Sequence, residues 1–113
     1  MADDGAGPPG APKGDSAPDR PTRLEELRRE IDDLDRRIVA LLNERATKGR
    51  EVGREKAALG WTTARDTERE REVLLRVTIA NEGPVPQEDL LAIYRRLIDA
   101  TRALEDRDRE REP

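Results

Sequence analysis

Cysteine and histidine are both absent from this 113-residue sequence, which excludes disulfides, thiolate or imidazole metal centres and every Ser-His or Cys-His nucleophile. Phenylalanine is absent as well, and one Trp and one Tyr are the whole aromatic complement, too few for the stacking platforms that hold single-stranded nucleic acid. No apolar run approaches the roughly 20 residues of a membrane-spanning helix. The opening MADDGAGPPGAPKGD has neither the basic start nor the apolar middle of a secretory signal, so the expected location is the cytoplasm. Charge of one sign is lacking too: 22 Lys plus Arg stand against 26 Asp plus Glu, a net −4. Such a balance gives no global field to gather nucleic acid or anionic lipid. Any chemistry is left to Arg, Lys, Asp, Glu and hydroxyls.

What is present divides into two populations. Four of the 8 Gly and five of the 8 Pro fall within residues 1–21, a stretch without Leu, Ile or Val. It cannot bury enough apolar area to offset the entropy of ordering, so a disordered tail is expected there. The aliphatic residues begin at Leu24, which sets a folded unit over 22–106 and a charged, fraying end over 107–113.

Inside that unit the spacing is helical throughout. Thr22 and Glu25 form an S/T-x-x-E capping box ahead of Leu24, Leu27, Ile31, Leu34, Ile38 and Leu41, which follow one another at steps of 3 and 4. No Gly or Pro interrupts the series before Gly49, and Gly60 offers the stop. The first helix is therefore predicted over 22–59, about 55 Å long. A second is predicted to start at Asp66 or Thr67 and to carry Val73, Leu74, Val77 and Ala80 on one face, ended by Gly83, Pro84 and Pro86. A third starts near Pro86 to Asp89 and runs through Leu90, Ile93, Tyr94, Leu97, Ile98, Thr101 and Leu104. The fold class is all-α, one very long helix and two shorter ones. A unit of this size encloses only a marginal core, so the long apolar stripe calls for a second copy, a homodimer.

The informative residues are those that break the apolar faces. Arg45 takes a place that every earlier turn of the first helix gives to Leu or Ile, and Lys56 lies 11 residues on, three turns later on nearly the same face. Two readings stay open for them: side chains that snorkel to solvent or pair with acids, and a buried anion site in which the Arg fork suits a carboxylate. Glu70 continues the Val73–Val77 face, yet Thr67 and Glu70 also form a capping box. In the third helix Ile98, Thr101 and Glu105 put a hydroxyl and a carboxyl on the inner edge, although Glu105 alone reads equally as a solvated end-of-helix acid. Convergence of polar groups from three helices favours a site.

The segments LEELRREIDDLDRRIVALLNERATKGREVGREK, ARDTEREREVL and GPVPQEDLLAIYRRLIDATRALE resemble the all-helical chorismate mutases, found alone or fused to prephenate dehydratase. The likeness covers about residues 22–106, and its ordered motifs are far more restrictive than one short pattern. It implies an isomerase: an intertwined homodimer with two sites that turns chorismate into prephenate by a [3,3] rearrangement, without cofactor or metal. By the same resemblance Arg28 reaches into the partner's site to bind a substrate carboxylate, and Arg45 binds a carboxylate in its own chain's site. Lys56 contacts the ether oxygen and a carboxylate. Asp66, Arg69 and Glu70 surround the ring hydroxyl, with Glu70 accepting from it, and Thr101 stands where the family often has Ser near the ring carboxylate. Glu105 stands where members have Gln or Glu. One departure is the stretch AALGWTTA between Lys56 and Asp66, which reads a residue longer than in common members.

Geometry agrees with the trans role of Arg28, since Arg28 and Arg45 lie 17 residues apart, roughly 25 Å along a straight helix and about 100° around it. Catalysis on a small dianion without nucleophile would consist of holding the chair-like conformer and stabilising charge on the ether oxygen, where Lys56 acts. Glu105 would donate a hydrogen to the same oxygen. An ionised carboxylate cannot donate, so this role needs Glu105 protonated, and activity should fall as pH rises. Competing readings are the same fold acting on 4-amino-4-deoxychorismate, an isochorismate pyruvate lyase, and a non-catalytic helical interaction module. The last predicts apolar residues where Arg45, Lys56 and Glu70 stand. Nothing in the sequence separates a ring hydroxyl from an amine at Glu70. A larger shikimate-pathway enzyme is a candidate partner; nucleic acid and membrane are not.

Overall fold

The structure, a computed structural model, describes residue 20, residues 22–61 and residues 63–111, except for the side chains of 63–66. Of the tail expected over 1–21, all but residue 20 lies outside the described residues. Three helices make up the fold: α1 (Arg23–Leu59), α2 (Thr63–Ala80) and α3 (Gln87–Arg111). Among the described residues there is no strand, and no helix is long and apolar enough to cross a membrane. The chain divides into two units between Val39 and Ala40, so α1 belongs to both.

The ends of α1 follow the predicted chemistry. The Thr22 hydroxyl accepts from the Glu25 backbone N–H at 3.1 Å, the first half of the capping box, and Glu25 and Glu26 set acids in the first turn. At the other end Gly60 takes φ +70°. Its N–H donates to Ala57 O at 3.1 Å and that of Trp61 to Lys56 O at 3.0 Å, the paired bonds that close a helix through a left-handed residue.

The second helix starts earlier than expected, at Thr63 rather than at Asp66 or Thr67. Nothing after Gly60 breaks a helix, so α2 extends back to within three residues of α1. Thr67 is then interior, and the capping-box account of Glu70 falls away. Between α2 and α3 the Asn81 side chain organises the turn: its amide donates to Val85 O at 3.1 Å and Gln87 Oε1 at 2.9 Å, and its oxygen accepts from Gly83 N–H at 2.9 Å.

The charged end continues α3, which runs on to Arg111. Arg50 on α1 donates two hydrogen bonds to the Asp108 carboxylate, both 2.8 Å, which ties the charged end of α3 to the long helix. That hydrogen bonding holds Asp108 below its ordinary value of 3.8, helped by the charges of Arg50, Arg54 and Arg111 and opposed by desolvation. A carboxyl depressed in the folded state contributes stability above its unfolded pKa and loses it as pH falls through the folded one. Asp108→Asn is therefore expected to lower Tm at neutral pH. The gap to wild type should narrow as pH falls through the ordinary carboxylate value and below it, as thermal melts across that range will show.

No hydrophobic side chain is fully buried among the described residues. Leu24, Leu27, Ile31, Leu34, Ile38 and Leu41, the stripe predicted from the sequence, are 40–62% exposed. One chain alone leaves the apolar face of α1 in water, an area worth about 25 cal/mol per Å² if covered.

Candidate active site

Each helix of the second unit contributes one face to a cavity of about 250 Å³, just under the range of about 300–1,000 Å³ typical of drug-sized ligands. From α1 come Arg45, Lys48, Gly49, Val52 and Lys56, at i, i+3, i+4, i+7 and i+11. From α2 come Arg69, Glu70 and Val73, and from α3 Ile98, Thr101, Arg102 and Glu105 at i, i+3, i+4 and i+7. Helical spacing puts each set on one side of its helix, and the polar members interrupt faces that are otherwise apolar.

Close approach of α1 and α3 rests on two glycines. A methyl at Gly49 would run into Thr101 Cγ2, and one at Gly53 would lie 2.8 Å from Glu105 Cγ. Both approaches are closer than contact, so any larger residue would push α3 away from the cations of α1.

At the floor, Lys56 Nζ lies 3.3 Å from Glu105 Oε1, with the side chains only 15% and 10% exposed. An ion pair this sheltered is little screened and fixes both groups in place. The guanidinium of Arg45 lies over the Tyr94 ring, 5.7 Å from its centroid, a cation–π contact of about 0.5–1 kcal/mol that keeps the fork on the cavity side. Glu70 Oε2 is 3.2 Å from Arg102 Nη2, and the neighbouring Arg69 pairs with Glu72 at 3.2 Å. Thr101 is buried and donates its hydroxyl to Leu97 O at 3.0 Å. To donate to a carboxylate it must rotate away from that carbonyl.

Six of the eight residues expected from the sequence thus share one cavity: Arg45, Lys56, Arg69, Glu70, Thr101 and Glu105. Glu105 is not a solvated helix-end acid, and Lys56 does not snorkel clear of the bundle; its pairing with Glu105 is the ion pair with an acid of another helix that the plainer reading allowed. Arg28 lies on the exposed part of α1 within the first unit. Asp66 stands in the first turn of α2, and its side chain is outside the described residues. Lys48, Arg102 and the Tyr94 beneath Arg45 were not picked out as site residues. Lys48 lies on the 3-4 register that runs through Arg45, a spacing that would have found it, whereas Arg102 is one of several arginines of α3 and spacing alone does not single it out.

The cavity holds five cations, Arg45, Lys48, Lys56, Arg69 and Arg102, against two carboxylates, Glu70 and Glu105, an excess of three positive charges in a chain of net −4. Such an excess suits a small anion, even with Arg69 paired to Glu72 and Lys48 to Glu51. No group of three or more acids able to hold a metal ion occurs among the described residues.

Known proteins give the same arrangement a family. The chain is 41% identical over 86 residues to the bifunctional chorismate mutase/prephenate dehydratase of Aquifex aeolicus, covering 73% of the chain and 24% of the relative. It is 38% identical over 88 residues to that of Stutzerimonas stutzeri, covering 74% and 24%. The chain thus spans about a quarter of the length of these curated relatives. The solved chorismate mutase (form II) of Thermus thermophilus superposes with a TM-score of 0.71 at 36% identity, over 76% of this chain and 97% of that one. With the family model for chorismate mutase type II matching residues 27–106, most of the described chain and every wall of the cavity, the chain belongs to the chorismate mutase type II family.

Proposed function

We propose that the chain is an isomerase that converts chorismate to prephenate in aromatic amino-acid biosynthesis, acting as a homodimer. The observation that carries this reading is the cationic cavity with a sheltered Lys56–Glu105 pair at its floor. Chorismate carries two carboxylates, a ring hydroxyl and an ether bridge, and breaking the C–O bond throws negative charge onto the bridge oxygen. Arg45, together with Arg28 of the partner subunit, holds the carboxylates and so selects the compact, chair-like conformer. Glu70 accepts from the ring hydroxyl, with Asp66 and Arg69 beside it, and Thr101 turns its hydroxyl to the ring carboxylate. Lys56 meets the ether oxygen as a fixed cation in a site of low dielectric, an interaction stronger in the transition state than in the ground state. No covalent intermediate or cofactor enters the rearrangement. Supporting the dimer, the apolar stripe of α1 is bare in one chain and continues past the cavity helices' own needs, so a second copy both covers it and supplies Arg28.

The ion pair with Lys56 uses the ionised Glu105 carboxyl, whereas a hydrogen bond to the ether oxygen needs the protonated one. Loss of chorismate's ultraviolet absorbance, with acid conversion of the product to phenylpyruvate, is expected to show turnover. Glu105→Gln, a donor that needs no added proton, is expected to stay active. Loss of activity in Glu105→Gln defeats the donor role, and absence of turnover in a folded protein defeats the proposed reaction. 4-Amino-4-deoxychorismate, which differs only in an amine for the ring hydroxyl, is then the next substrate to try.

A further inference from the structure

We propose that Arg102 is a specificity-determining residue: by pairing with Glu70 it makes the site select a neutral hydrogen-bond donor over an ammonium at the substrate's ring substituent. The inference rests on the proposed function, since it concerns which chorismate-like dianion the same cavity takes.

Glu70 and Arg102 both line the cavity, and Arg102 Nη2 stands 3.2 Å from Glu70 Oε2. The two side chains are 29% and 38% exposed respectively, so the pair faces the space a ligand would fill. A carboxylate has two oxygens and about four acceptor positions. Arg102 engages one oxygen, and the other stays available to accept from a ligand hydroxyl.

For a hydroxyl this arrangement is as good as a lone carboxylate, because an O–H brings no net charge. For an ammonium it is not. A lone glutamate would attract a cation strongly in a sheltered site, but here its charge is already matched by a guanidinium in direct contact, and Arg69 lines the same wall. Glu72 draws Arg69 outward at 3.2 Å, which leaves Arg102 as the cation that decides the balance at Glu70. An ammonium placed against Glu70 therefore meets a like charge within one side-chain width. The bland alternative is that Arg102 merely ties α2 to α3.

Three variants separate these. Arg102→Met and Arg102→Gln keep length and remove the charge, while Arg102→Lys keeps the charge and loses the planar fork. Each is checked for folding by circular-dichroism melting and assayed for kcat/KM on chorismate and on 4-amino-4-deoxychorismate at about pH 6.5, where the amine is protonated. The ratio of the two values, chorismate over amino analogue, is expected to fall about tenfold or more in the Met and Gln variants and to stay within about threefold of wild type in the Lys variant. An unchanged ratio in a neutral variant of an active protein overturns the inference, as does an equal fall in the Lys variant, which would assign the effect to shape. Wild-type protein that turns over neither substrate defeats the proposed function itself, a failure seen before any variant is compared, and the inference falls with it.

Discussion

Replacing Lys56 by alanine is expected to lower kcat/KM for chorismate by about 10³-fold, with most of the loss in kcat. The expectation comes from where the charge sits. Lys56 lies at the floor of the cavity with its side chain 15% exposed, 3.3 Å from Glu105, so its field is neither screened by water nor diffused by motion. An interaction with charge that develops only as the C–O bond breaks lowers the barrier without tightening ground-state binding. Removing one preorganised donor at such a point costs about 10²–10³ in kcat, and a full charge lies at or beyond the upper end. Steady-state assay of the variant decides it, and activity within about tenfold of wild type would sink the role.

The same variant should also be less stable, by about 1–3 kcal/mol, because Glu105 is left sheltered without the partner it now has. Stability and catalysis can be pulled apart. Lys56→Met combined with Glu105→Leu removes both halves of the pair and is expected to recover the melting temperature of wild type while remaining inactive.

The sequence made the helices legible because their boundaries are written locally. Thr22 and Glu25 cap, Gly60 turns the chain at positive φ, and the steps of 3 and 4 between Leu24 and Leu41 admit no other period. The start of α2 was missed because Asp66 and Thr67 look like caps, whereas nothing after Gly60 prevents a helix from beginning sooner. In the site, Arg45, Lys56, Glu70 and Glu105 stood out as charges on apolar faces. Arg102 did not, because it lies in a helix where Arg95, Arg96, Arg107, Arg109 and Arg111 are all exposed, and only the packing of α2 against α3 tells it from them. The same holds for Arg50 and Asp108, which pair across 58 positions of chain. Nor does one-dimensional spacing reveal that a side chain at Gly49 or Gly53 would run into Thr101 or Glu105 of α3.

Mixing two inactive variants is expected to restore activity. Arg28→Ala and Arg45→Ala should each lower kcat/KM by about 10²–10³-fold, since each removes a guanidinium that holds a substrate carboxylate. If Arg28 acts in the partner's site, the two defects are complementary in a heterodimer. One of its sites draws Arg45 from the Arg28→Ala chain and Arg28 from the Arg45→Ala chain, and is intact; the other lacks both. Random reassociation after mild denaturation makes about half the dimers heterodimeric, each with one working site, so activity should recover to about a quarter of wild type. That fraction is specific. Cis action of Arg28 gives no recovery at any mixing ratio, because every site then keeps one of the two lesions. A monomer gives none either, and sedimentation of the wild-type protein tells the two apart. The bare apolar stripe of α1, with Ile31, Leu34 and Ile38 about half exposed in the single chain, is the physical ground for expecting the dimer. Ile31→Asp on that stripe should therefore reduce activity together with dimerisation, although Ile31 is not among the residues that line the cavity.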